Sequence, residues 1–561
     1  MTHTRLTLIL TGVMCALTLG AQQPKGLKKL RAAQVSVLAH TAGGALQQGQ
    51  GTLISEDGIV VVQYDVMKNA TRAMVIDQAG TEHAVTEILG ANSAYNMVKM
   101  RMEPGKKKNA CLTIAAQQPS ERALVFVIPS EKADKSVPCD IDTVTRVEEF
   151  GNGFKYLTLS REIGERQANS PVVNQEGALV GFVQLATQKG HPSYVIDANY
   201  ANSLTVTPLD AGNSDLNSIH IRKALPEKEE DALTYIFLTG KKDTAMYDAY
   251  INQFIAEHPA NTTGYTMKAE QQAEQGLYSQ AAATYAEALG REGTKADELH
   301  YSLSKVIYGL SMSAGYKPYG DWTLDRSLSE AQQAYSINPL PAYTMQEANC
   351  LYAMKRYQEA GDKFLELTGT NLRTPDLFMY AAQCRLKSQA DTAQVIALMD
   401  SALNCFTKPY PVAAASIILL RAKTLAETGK YREAISGYNE FEHLSGSTLT
   451  ANFYYEREQL ETRCRMYAPA LNDIEKAIRL SPRDPVLHAE AAALNYRVSQ
   501  NEQAITYARQ AIALDGEFAD AHRILGVCLL EKGEKAEARQ HLMRARELGD
   551  PLADGILKKA E

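Results

Sequence analysis

Asp65 stands near the end of the stretch GQGTLISEDGIVVVQYDVM, residues 49–67, in which Glu56-Asp57-Gly58 joins two apolar runs. Asp-Gly between β-branched runs signals a hairpin. In one large class of enzymes a strand of this kind ends on a histidine that acts as a general base. A carboxylate in that slot is ionised at pH 7 and is too weak a base to deprotonate an alcohol. Other reactive groups are sparse. Apart from Cys15 there are seven cysteines: Cys111, Cys139, Cys350, Cys384, Cys405, Cys464 and Cys528. Their odd number and wide scatter do not make a disulfide framework, and the absence of any CxxC pair argues against structural zinc. Cys111 with Cys139 is the one pairing to test. The chain carries no P-loop, Rossmann fingerprint, HExxH or EF-hand loop, and GREGTK at 290–295 reads as a turn after a helix. No metal and no cofactor are expected.

The elements that must position these residues fall into two textures. From about 30 to 204 the chain alternates short β-rich runs with turn signals: QVSVLAH, GTLIS, GIVVVQ, RAMVI, HAVTEIL, NMVKMRM, ACLTIA, ALVFVI, FKYLTLS, PVVN, ALVGFVQLA and SYVI. About twelve strands at this spacing predict an all-β sandwich or barrel domain. DANYANSL then reads as a short helix capped by Asp197. Residues 205–230 are polar and turn-rich and are expected to be a linker. The N-terminus has Arg5, an apolar run from Leu6 to Leu19, and Gly20-Ala21 before a polar start. That pattern predicts a signal peptide over 1–21 and an exported, periplasmic or secreted product, with no transmembrane segment left after cleavage. The net charge of -7 is no nucleic-acid footprint, so no nucleic-acid partner is expected.

From 231 to 561 the texture is helical and repetitive. Ala470, Ala504 and Ala538 lie one period of 34 residues apart, as do Ala477, Ala511 and Ala545. Pro482, Gly516 and Asp550 close the three units. A period of 34 with small residues at two fixed helical points is the tetratricopeptide repeat (TPR) pattern, because small side chains let paired helices approach closely. About eight helix pairs and a C-terminal capping helix, PLADGILKKAE, are expected. AGYKPYGDWTLD at 314–325 reads as a long loop within one pair. The groove-facing places of such repeats, carried onto the last units, give Tyr455, Gln459, Arg463, Tyr496, Arg497 and Arg523. Arginines beside tyrosines suit an acidic peptide or a C-terminal carboxylate.

The β domain, 30–204, resembles the trypsin-like serine proteases of the HtrA/Deg type. GQGTLISEDGIVVVQYDVM is similar to that family's Gly-x-Gly strand, turn, strand and Asn-His-Val segment. GANSAYNMVKMRM resembles its aspartate segment, and ERQANSPVVNQEGALVGFV its nucleophile loop. The resemblance implies a double β-barrel ahead of an all-α TPR solenoid. It also places Asp65 at the histidine position, Asn96 at the aspartate position and Ala168 at the nucleophile position. Arg166, Asn169 and Ser170 replace glycines of the loop, which puts the oxyanion hole in doubt. If the loop is two residues shorter, Ser170 takes the nucleophile place, still without a histidine. His40, His83 and His191 lie in the domain, none at the motif. The expectation is an inactive protease domain joined to a TPR superhelix that binds proteins or peptides on its concave face. Two alternatives stay open: a divergent serine endopeptidase using Ser170, and a periplasmic peptide-binding chaperone.

Overall fold

The computed structural model describes residues 23–105, 108–129, 139–151, 153–186, 188–240, 244–446 and 449–560. The expected leader, 1–21, lies outside them. The chain divides into two compact units, Met1–Thr294 and Lys295–Glu561.

The first unit contains two closed six-stranded antiparallel barrels, the architecture that the protease resemblance implied. The first is built from β1 (Gln34–Thr41), β2 (Leu46–Leu53), β3 (Ile59–Val62), β4 (Ala70–Ile76), β5 (Glu82–Asn92) and β6 (Met97–Met102). The second is built from β7 (Leu124–Val127), β8 (Asp140–Phe150), β9 (Phe154–Leu159), β10 (Pro171–Val173), β11 (Leu179–Gln184) and β12 (Tyr194–Asp197). Strand order is 1-2-3-6-5-4 in one and 7-8-9-12-11-10 in the other, the same path run twice. Closure removes exposed edges, and alternating side chains fill the interiors. Val60, Val98 and Met100 fill the first barrel; Val125, Leu157 and Val180 fill the second.

One expected strand is absent and one unexpected strand is present. ACLTIA is a crossing between barrels, tied by one bridge from Ile114 to Leu179. β8 went unread because charged Arg146, Glu148 and Glu149 fall on both of its faces, so its apolar alternation is thin. Cys111 and Cys139 are free thiols rather than a pair. Asp197 accepts from the Asn199 amide at 2.9 Å, one residue ahead of helix Tyr200–Ser203.

Residues 205–230 are not a free linker. Leu216 and Ile219 are buried in the core of the first barrel. Ile88 N–H donates to Arg222 O and Ala224 N–H to Ile88 O, at 2.8 and 2.9 Å, which adds a short parallel bridge to β5. The Asn, Asp and Ser content that suggested a loop instead caps short helices, as where Asn213 Oδ1 accepts from Asp215 and Leu216. The same core runs on into helices Glu229–Gly240 and Thr244–Glu257 through Tyr235, Ile236, Tyr250 and Phe254. The compact boundary therefore falls at Thr294, not 230.

Among the described residues the helices form nine pairs and a final helix, Ala553–Ala560, one pair more than expected. Ala470, Ala477, Ala504, Ala511, Ala538 and Ala545 are all fully buried between paired helices. A left-handed residue follows each first helix at the same spacing: Arg465, Ser499 and Gly533. The expected loop spans 313–323, with Leu324 and Asp325 already in the next helix, and Trp322 packs edge-on against Tyr319 within it.

Candidate functional site

Asp65 sits on the short helix Tyr64–Met67, which follows β3 directly. Three contacts place it. Val66 and Met67 bury into the first barrel. Tyr64 Oη shares a hydrogen bond with Ser218 Oγ at 2.8 Å, so the segment once expected to be a linker braces this turn. Asp65 N–H donates to Asn96 Oδ1 at 3.0 Å. Gly49 makes room for the helix, since a Cβ there would lie 2.4 Å from Val66 Cγ2. Gly49→Ala is expected to lower stability by about 1–3 kcal/mol through overpacking, read as a shift of the urea midpoint.

Asn96 occupies a left-handed turn, φ 46°, before β6. That turn is held by Asp215 Oδ2, which accepts from Ser93 N–H at 2.7 Å, and by Asn92 Oδ1, which accepts from Tyr95 N–H at 2.9 Å. The positions matching a histidine and an aspartate are thus still in contact, through an amide and a backbone N–H.

Asp65, Asn96 and Asn169 open onto one cavity of about 300 Å³, together with Gln63, Tyr95, Met97, Val183, Gln184, Leu185 and Ile196. Asn169, φ 60°, donates through Nδ2 to Gln50 O at 2.9 Å and so stitches the second barrel to the first. Ala168 ends a 3-10 turn, Glu165–Gln167, and its N–H donates to Glu165 O at 3.1 Å. An oxyanion hole needs such an amide free and aimed at the reacting oxygen. Ser170 is fully buried, and its Oγ has no partner among the described residues. Neither Ala168 nor Ser170 lines the cavity. No described histidine lines it either: His83 is buried beside Asp77 at 3.6 Å, His40 lies on β1, and His191 is exposed.

The helical wall departs from its expected character. Arg463 is exposed; it donates to Tyr431 Oη at 3.0 Å and lies over that ring. Arg497 is exposed. Arg523 is no open clamp, because Asp550 and Asp520 hold it at 2.7 and 2.6 Å. Tyr496 donates to Glu531, and Gln459 to Glu458. Tyr455 is half-buried, and burial raises its phenol pKa. The wall therefore carries acids among its arginines, and the expected basic groove shrinks to Arg463 and Arg497.

One residue was overlooked although the register exposes it. Glu458 stands where the next two repeats have Ala492 and Gly526. It is fully buried, accepts from Thr462 Oγ1 and Gln459 Nε2 at 2.8 Å each, and burial pushes its carboxyl up to about 7. Glu461, one turn on, is also buried with one oxygen unpartnered among the described residues, and burial again raises its pKa to about 7.

Residues 489–552 match the family model described as tetratricopeptide repeat. That stretch takes in the last two helix pairs, and the paired helices before them have the arrangement typical of a TPR solenoid. The chain is 34% identical over 93 residues to "Small glutamine-rich tetratricopeptide repeat-containing protein 2" of Mycosarcoma maydis. That match covers 17% of this chain and 26% of the other, so the chain spans about a quarter of the length of that relative. Among solved structures it is similar to "MamA RS-1 ArsTM double mutant", with 19% identity over 31% of this chain and 93% of that one, at a TM-score of 0.28. It is also similar to a serine endoprotease from Yersinia pestis, with 16% identity over 32% of this chain and 65% of that one, at a TM-score of 0.26.

Proposed function

We propose that the protein is an exported scaffold that holds other proteins through its TPR array, and that its double barrel is a protease fold without proteolysis. TPR arrays bind proteins or peptides, each repeat adding to one extended surface. The observation that carries the second part is the cavity itself. Where a serine protease needs an imidazole and an open nucleophile, it presents Asp65 and Asn96, while Ala168 has no hydroxyl. The burial of Ser170 counts against the hydrolase alternative, because a substrate carbonyl has no path to its Oγ. Localisation in the envelope rests on the leader-like N-terminus.

The experiment is crosslinking of the chain in its native cells, paired with a fluorophosphonate probe and an unfolded-protein digestion assay. Arg463→Glu with Arg497→Glu is expected to reduce partner capture at least about tenfold, the scale of losing one charge-assisted contact. No probe labelling is expected. Undiminished capture by the double variant overturns the array's basic contacts, and labelling at Ser170 overturns the non-proteolytic barrel.

A further inference from the structure

On the footing that the cleft binds rather than cleaves, we infer that the cavity at the vacated triad is a receptor for a basic side chain, an arginine carried on a peptide segment of a partner protein.

Among the described residues lining the cavity, Asp65 alone is charged. Its carboxylate makes no ion pair or hydrogen bond with any described residue, while its backbone is fixed by Asn96. Other carboxylates of the barrels are neutralised where they sit: Glu87 by Arg101 and Arg222, Asp142 by Arg161, Glu149 by Lys155. Asp65 is exposed at the mouth of the cavity with its backbone held and its carboxylate open to an incoming cation. Asn96 adds an acceptor beside it, because its Oδ1 takes one N–H and has a second lone pair.

The neighbouring wall favours a guanidinium. Tyr95 lines the cavity and packs 4.7 Å from both Phe150 and Tyr200, while Phe154 meets Tyr200 edge-on at 5.4 Å. All four rings are half-buried. Gln184 ties this cluster to the cavity: its Nε2 donates to Tyr95 O at 2.7 Å, and its Oε1 accepts from Tyr156 Oη at 3.1 Å. A guanidinium is planar, pairs with a carboxylate through two parallel N–H groups and stacks on aromatic faces; an ammonium does neither as well. A volume of about 300 Å³ takes one long side chain and excludes a folded domain.

The test is fluorescence anisotropy at low salt on the whole chain. The probe is a short fluorescein-labelled peptide, blocked at both ends, with one arginine between two phenylalanines. Citrulline and lysine versions serve as comparisons. Saturable binding of the arginine peptide is expected. Replacing arginine by citrulline, or Asp65 by Asn, should each weaken it about tenfold. Asp65→Asn leaves the N–H to Asn96 untouched, and the citrulline peptide needs no variant at all. Equal affinity for arginine and citrulline, no effect of Asp65→Asn, or no saturable binding overturns the proposal; a lysine peptide bound as tightly as arginine overturns the choice of guanidinium. Partner capture dependent on Arg463 and Arg497 is untouched by Asp65→Asn, so failure here is separable from failure of the scaffold function.

Discussion

Glu458→Gln is expected to stabilise the array at pH 8 and to change nothing at pH 4. The acid sits at a position that admits alanine or glycine in the next two repeats, and its carboxyl is pushed up to about 7. In the unfolded chain a glutamate titrates near 4.3. The native state therefore holds its proton more tightly. Below about pH 4 both states are protonated, and the acid costs nothing. As pH rises toward 7 the unfolded state ionises first, and stability falls; above the folded value the loss is complete. A gap of that size corresponds to about 4 kcal/mol at most. Glutamine keeps the shape of the protonated acid and an acceptor for Thr462 Oγ1. Glu461 is buried one turn on and its carboxyl is raised to about 7 chiefly by burial, so it adds a loss of the same sign over the same pH range. Hydrogen exchange of helices Ala451–Arg463 and Tyr467–Leu480 at the two pH values is the measurement. Equal gains at pH 4 and pH 8 would sink the explanation.

Arg457→Met should cost more, about 3–5 kcal/mol, because it strips the cation from a buried network. Arg457 is 3% exposed. It grips Asp473 through Nε and Nη2 at 2.5 and 2.9 Å, and reaches Glu442 and Asn439 through Nη1 at 2.6 and 2.9 Å. Phe453 and Tyr454 flank its guanidinium. Without it, Lys476 at 3.5 Å is the one cation left beside Asp473 among the described residues. Adding Asp473→Leu to Arg457→Met is expected to restore much of the loss, since removing both charges abolishes the uncompensated one. Urea denaturation followed by helical signal checks this. A double variant no better than the single one would show that packing, not charge, sets the cost. The damage should stay near these helices, because each repeat contacts only its neighbours.

Periodic features were legible in the sequence, and isolated ones were not. The 34-residue spacing of Ala470, Ala504 and Ala538 marked the helical packing before any coordinate, because close helix approach admits only small side chains there. The barrels were legible where apolar residues alternate, as in β3 and β6, and illegible in β8, where charges on both faces hide its register. Residues 205–230 misled because capping residues and loop residues share a composition. At the cleft, the contact between positions 65 and 96 followed from the resemblance. The bracing of both by Ser218 and Asp215 could not, since those partners lie more than a hundred residues away in the chain. Arg523 was misjudged because the aspartates that neutralise it come from both ends of its own unit, Asp520 near the start and Asp550 at the close.

The strap over the first barrel also bears on how such a chain can be inherited. Ile219 and Leu216 complete the core of the first barrel, and Tyr250 Oη accepts from Lys223 N–H at 3.0 Å. A gene rearrangement that joined or severed the two halves near residue 204 would leave the barrel missing part of its own interior. The compact unit is the barrels together with the first two helix pairs, so exchange of one helical array for another is expected to spare the barrels when the junction falls beyond Thr294.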